Sequence, residues 1–140
     1  RLFLLNKVEK PIEEVLSTEA TEEDFKDTIE DEYGVKYSRD GKKLLMAYFS
    51  LCGKEYVVRE GTEVICDAAF RSTGIRSVKL PSTILSIGSE AFADNNYLVS
   101  CNIPASVKYI AHNNPWRGCW NIINMDIHII RKTKCFRILE

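Results

Sequence analysis

Two histidines, five cysteines and seven glycines are the residues that catalysis or metal binding would draw on first. His112 lies in the loop 111–115 and His128 sixteen residues later, with no cysteine or carboxylate pair at ligand spacing beside either. Zinc needs closely spaced Cys/His pairs. Cys52, Cys66, Cys101, Cys119 and Cys135 are instead separated by 14, 35, 18 and 16 residues, with no CxxC. An odd number in a chain of this length does not suit a disulfide framework, so the cysteines read as free, mostly buried thiols. A thiol nucleophile needs a base within reach, and none is spaced to supply it. The glycines are scattered and form no phosphate-cradling loop. The chain is therefore expected to be no enzyme, with no catalytic residue, no cofactor and no bound metal.

Composition narrows the classes further. The 140 residues fit one domain, and 45% apolar with 28% charged residues is ordinary for a soluble globular protein. A net charge of -1 argues against nucleic acid as a partner. Charge is unevenly spread. Residues 1–32 carry 11 acidic and 4 basic side chains, residues 33–140 carry 9 and 15, so -7 faces +6. Either the acidic segment is a solvated face, or it folds back on the basic body. The longest apolar runs, such as Leu2–Leu5, are far too short to span a membrane, and no signal-peptide pattern shows at the start.

Residues 18–33 have helical features. Thr21 is a candidate N-cap, and Glu22, Glu23 and Asp24 suit the positive end of a helix dipole. Phe25, Ile29 and Tyr33 recur every four residues, and Gly34 offers a stop. This helix is expected to cap the N-terminal end of the body formed by the rest of the chain. Asp40-Gly41 between apolar stretches predicts a hairpin with strands near Val35–Ser38 and Leu44–Tyr48.

Beyond the hairpin the sequence repeats itself. EYVVREGTEVICDAAF and SVKLPSTILSIGSEAF share alternating apolar pairs, a turn, a second apolar pair and Ala-Phe. Val58, Leu80, Ile103 and Ile127 recur at gaps of 22, 23 and 24, each preceded two residues earlier by Tyr56, Val78, Cys101 and Met125. Ile65, Ile87 and Ile110 form a third column, Phe70, Phe92 and Trp116 a fourth, and Ile75, Leu98 and Ile122 a fifth. A unit this short cannot bury its apolar face alone, so the copies must stack. Pro81 and Pro104 should end their strands, because proline lacks the N–H that would continue a ladder.

The segments KLPSTILSIGSEAFADNNYLVSCNIPASVKYI and NPWRGC closely resemble the BspA-type leucine-rich repeats common in Bacteroides and related bacteria. The resemblance rests on Leu80-Pro81, Ile87-Gly88, Ala91-Phe92, Ile103-Pro104, Ser106-Val107 and Gly118-Cys119, and it covers about residues 34–128. It departs at Val58-Arg59 and at His128, where proline is missing. It implies a repeat solenoid, a leucine-rich-repeat-like right-handed superhelix of short parallel β-strands with loops and short helical turns, plus the N-terminal helix. The expected organisation is an acidic N-terminal segment over 1–33, a lead-in hairpin over 34–54, about four repeats over 55–128 and an edge strand or cap over 129–140. It further implies a non-enzymatic protein-binding module, surface-displayed and adhesion-like in some family members. The alternatives are an intracellular regulator or assembly partner, which free thiols favour, and a scaffold for an activity outside the chain.

A protein partner is expected to meet the strand face, with the loop edge as the competing surface. On the strand face the residues between the inward positions point out, namely Val57, Lys79, Asn102 and Asp126, with Arg59 beside them. The loop edge offers Tyr97 as an anchor, with Asp94, Asn95 and Asn96 expected to stack one repeat from His112, Asn113 and Asn114.

Overall fold

A computed structural model describes residues 17–123. Asp126 and the expected fourth inward positions Met125 and Ile127 lie outside the described residues, as does Cys135. The chain enters as a short helix α1 (Glu22–Lys26), then forms strands β1 (Thr28–Glu30), β2 (Lys36–Ser38) and β3 (Lys43–Met46) and a 3-10 turn (Phe49–Leu51). Six further strands complete the described chain: β4 (Glu55–Val57), β5 (Val64–Ile65), β6 (Ser77–Lys79), β7 (Ser86–Ile87), β8 (Ser100–Cys101) and β9 (Tyr109–Ile110).

The strands make two sheets. β4, β6 and β8 form a parallel three-stranded sheet in which Glu55, Tyr56 and Val57 face Ser77, Val78 and Lys79. The second sheet has six strands in the order β1-β2-β3-β5-β7-β9. Its hairpin half is antiparallel, and β3 then joins β5, β7 and β9 in parallel register. The hairpin turn forms as the sequence predicts. Gly41 has φ +77, its N–H donates to the Ser38 carbonyl, and the Asp40 carboxylate accepts from the Ser38 hydroxyl and the Lys42 N–H.

A third row of contacts closes each repeat. The N–H groups of Ala68, Phe70 and Ser72 donate to the carbonyls of Ser89, Ala91 and Ala93 at 2.7–3.0 Å, and those of Glu90, Phe92 and Asp94 to Asn113, Pro115 and Arg117. The Ala-Phe segments are therefore successive tight turns rather than the expected short helical turns. Ala68, Ser72, Glu90 and Asp94 all adopt positive φ, between 54° and 60°. This turns alternate N–H groups from the local chain towards the next repeat. The strain of a left-handed non-glycine residue is offset by a row of hydrogen bonds a helix would have closed on itself. Two glycines are fixed by this packing. A Cβ on Gly88 would lie 2.4 Å from the Asp67 carboxylate, and one on Gly118 2.6 Å from that of Asp94.

The inward columns are buried as the spacing requires. Val58, Leu80 and Ile103, Tyr56, Val78 and Cys101, Ile65, Ile87 and Ile110, and Ile75 and Leu98 all belong to one core, with Ile122 packed against it. β6 and β8 end before Pro81 and Pro104. The aromatic column is a continuous file. Phe70 and Phe92 stack at 5.1 Å, Phe92 and Trp116 at 5.9 Å, both within 8° of parallel. Tyr56 and then Tyr33 extend it towards the N-terminal end, each 6.0 Å from the next ring. Truncating one of the fully buried Phe rings costs about 3–5 kcal/mol.

The segment 18–33 differs from expectation. Helix α1 has one turn, closed by the reciprocal capping bonds of Thr21 and Asp24, and stops at Asp27. Thr28–Glu30 then pairs with β2 instead of continuing the helix. A stripe of Phe25, Ile29 and Tyr33 is thus absent. Phe25 is 38% exposed, while Ile29 and Tyr33 pack on the core from a strand and a turn. Gly34, at φ +79, serves the β1–β2 turn rather than a helix end. The Asp31 carboxylate holds that turn by accepting from the Tyr33 and Val35 N–H groups, and it also receives the Tyr56 hydroxyl. Tyr56 in turn shares a 2.6 Å hydrogen bond with the buried Tyr37. Burial and the Asp31 carboxylate raise the Tyr56 phenol well above its usual value, and burial raises that of Tyr37. The described part of the acidic segment does fold onto basic side chains of the hairpin, through Asp24–Lys43 (2.9 Å), Asp27–Arg39 (2.7 Å) and Glu30–Lys36 (2.7 Å).

Candidate protein-binding surfaces

The outer face of the three-stranded sheet presents Glu55, Val57, Lys79 and Asn102 to solvent, with Val57 68% exposed. Parallel pairing brings Val57 beside Lys79. Two residues expected to be free there are engaged. The Asn102 amide accepts from the Leu80 N–H at 2.7 Å and donates to the Leu80 carbonyl at 3.1 Å, closing the backbone where β6 has ended. The Arg59 guanidinium lies over the Tyr37 ring, 5.4 Å from its centre, a cation–π contact that ties it to the lead-in hairpin. What remains is one acidic, one aliphatic and one cationic side chain, Glu55, Val57 and Lys79.

The loop edge is built differently from the expectation. Asn95 is fully buried, so it offers nothing to a partner. Its amide donates to the Phe70 and Phe92 carbonyls at 2.8 Å and accepts from the Gly74 N–H at 2.8 Å. Thr73 and Cys119 fill the equivalent place, three residues after Phe70 and Trp116, and each donates to a ring residue's carbonyl, Phe70 and Phe92 respectively. His112 and Asn113 do not stack on Asp94–Tyr97. The Asn113 carbonyl accepts from Glu90, which places that loop on the turn row.

The register at the loop edge is carried instead by backbone bonds from Arg76 to Lys54, from Val99 to Arg76 and from Ile123 to Val99. Asn121 also donates to the Asn96 carbonyl at 2.8 Å. A shallow groove lies along this edge, lined by Cys52, Gly53, Arg76, Tyr97, Val99 and Asn121. Tyr97 in it is 66% exposed, Ile123, bonded to Val99, is 77% exposed, and Trp120 in the same last described repeat is 80% exposed. Sequence reasoning found Tyr97 and missed Trp120 and Ile123. The signal available was their position on either side of Ile122, the repeat-column residue.

Among the described residues there is no cluster of three or more His, Cys, Asp or Glu side chains placed to hold a metal ion. Cys52, Cys66, Cys101 and Cys119 are free thiols, the last three buried. Burial pushes Cys66 and Cys101 up to about 12, so neither forms a thiolate near neutral pH. Among the described residues no helix is long and apolar enough to cross a membrane.

These stacked repeats define a repeat protein of the leucine-rich class. The family model for a BspA type leucine rich repeat region (6 copies) matches residues 45–137, and the chain belongs to this family. Repeats of this kind generally mediate protein–protein interaction rather than catalysis. Comparison with curated proteins and with solved structures gave no match.

Proposed function

We propose that the chain is a non-enzymatic protein-binding module, a small right-handed solenoid that engages its partner through the loop edge. The observation that carries this reading is the exposure of Tyr97, Trp120 and Ile123 along one edge. Binding hot spots are enriched in Trp, Tyr and Arg, and this edge offers all three with Arg76. The strand face, with Val57 and Lys79 free and Asn102 and Arg59 engaged, is the weaker surface. A cell-surface, adhesion-like role is supported by the family; an intracellular role as regulator or assembly partner is supported by four free thiols.

Photo-crosslinking amino acids placed at positions 97 and 79 in the producing cells test this. Protein adducts are expected from position 97, and adducts from neither position would sink the reading. Once a partner is in hand, Tyr97→Ala should weaken binding by more than about 1 kcal/mol while Lys79→Glu leaves it intact. The reverse result moves the site to the strand face.

A further inference from the structure

The loop-edge column is not uniform. In register along the stack it reads Lys54, Arg76, Val99, Ile123, two cations and then two β-branched aliphatics. Lys54, Arg76 and Ile123 are exposed and Val99 half-buried. Among the described residues no carboxylate lines the groove beside them. Among the described residues Arg76 pairs with Glu55, whose carboxylate stands 3.8 Å away with both side chains mostly in solvent. A pair that open contributes little and yields readily to a better-placed anion. Tyr97 lines the aliphatic half of the groove beside Val99, and Trp120 is exposed in the last described repeat.

Resting on the binding reading just given, we propose that this groove takes an extended peptide segment of a partner protein, running along the stack, with an acidic side chain on Arg76 and Lys54 and an apolar one between Tyr97 and Ile123. Neighbouring repeats stand about 4.8 Å apart, so Arg76 and Ile123 are separated by roughly 10 Å, or about three residues of extended chain at ~3.3 Å each. The recognised segment therefore carries its acid and its large apolar residue about three positions apart. Guanidinium and carboxylate pair in a bidentate fork, which fixes the peptide's direction as well as its place.

The test is a displayed library of random dodecamer peptides selected on the full chain, with a second library in which Asp and Glu are replaced by Asn and Gln. Enrichment of peptides with an acid and an aromatic or aliphatic residue about three apart, from the first library only, is expected. The selected peptides should blue-shift or quench Trp120 emission and slow iodoacetamide labelling of Cys52, the one described cysteine that is not buried. Arg76→Glu should weaken them at least tenfold, and Tyr97→Ala by a similar factor, with unchanged melting. Enrichment without acid preference, no enrichment, or indifference to Arg76→Glu would each overturn the proposal. Adducts at position 97 together with any of these results would leave the general binding reading standing.

Discussion

The two sheets share one core but treat their outer faces in opposite ways. On the six-stranded sheet Leu45, Val64 and Cys66 point outward yet are fully buried, with Ala20 packed on them. The entering chain is fastened there twice, by the Asp67 N–H to the Thr18 carbonyl and by the Thr18 hydroxyl to the Asp67 carboxylate, both at 2.8 Å. On the three-stranded sheet the corresponding outward residues Val57, Lys79 and Asn102 meet solvent. The β3–β5 part of one sheet is covered by residues just before α1, whereas the other sheet meets solvent along its outer face.

Substitution of outward residues separates the two faces most strongly. Leu45→Ala should cost about 2–5 kcal/mol, the range for a large buried aliphatic side chain. Val57→Ala should stay within about 0.5 kcal/mol, as exposed positions do. Equal losses in urea unfolding would erase the distinction. A smaller effect is expected at the fastening point. Asp67→Ala removes the acceptor of both the Thr18 hydroxyl and the Ser89 N–H and should cost about 1–3 kcal/mol. It should also speed alkylation of Cys66 while Cys101 stays slow; equal protection of both would mean residues 17–20 do not cover that face.

The smallest effect is electrostatic. The Thr21 backbone N–H and then Lys43 hold the Asp24 carboxyl below its ordinary value, and Arg39 does the same for Asp27. A carboxylate with a lowered folded value contributes stability that is fully present above its unfolded value of about 3.9 and is lost as pH falls through the folded one. Stability should therefore decline on acidification below about pH 4, and Asp24→Asn should make that decline shallower. An unchanged acid limb in the variant would show that the fastening of the acidic segment owes nothing to this pair.

The inward columns were legible because burial imposes a period, and gaps of 22 and 23 between Val58, Leu80 and Ile103 survive any detail of the turns. The Asp40-Gly41 hairpin was legible because its cause is local. The helix over 18–33 was misread for the opposite reason. Phe25, Ile29 and Tyr33 happen to be spaced by four, but Thr28–Glu30 is drawn into a strand by β2, a partner the local pattern does not contain. Asn95 looked like a solvent amide because nothing in its neighbours reveals that it bonds carbonyls of two repeats. Trp120 and Ile123 escaped notice for a related reason, since exposed positions carry no period.

The row of tight turns has a mechanical consequence. Neighbouring repeats are joined by hydrogen bonds on three sides that do not lie on one line. Two rows would leave a hinge about the axis joining them; a third acts as the third leg of a tripod and removes it. Bending the stack at any level must then stretch at least one row, so backbone distances between different repeats hold steady as marks on a ruler do. The backbones of Arg76 and Ile123 keep their separation before any ligand arrives, and a bound segment need not spend its own binding energy on setting that distance.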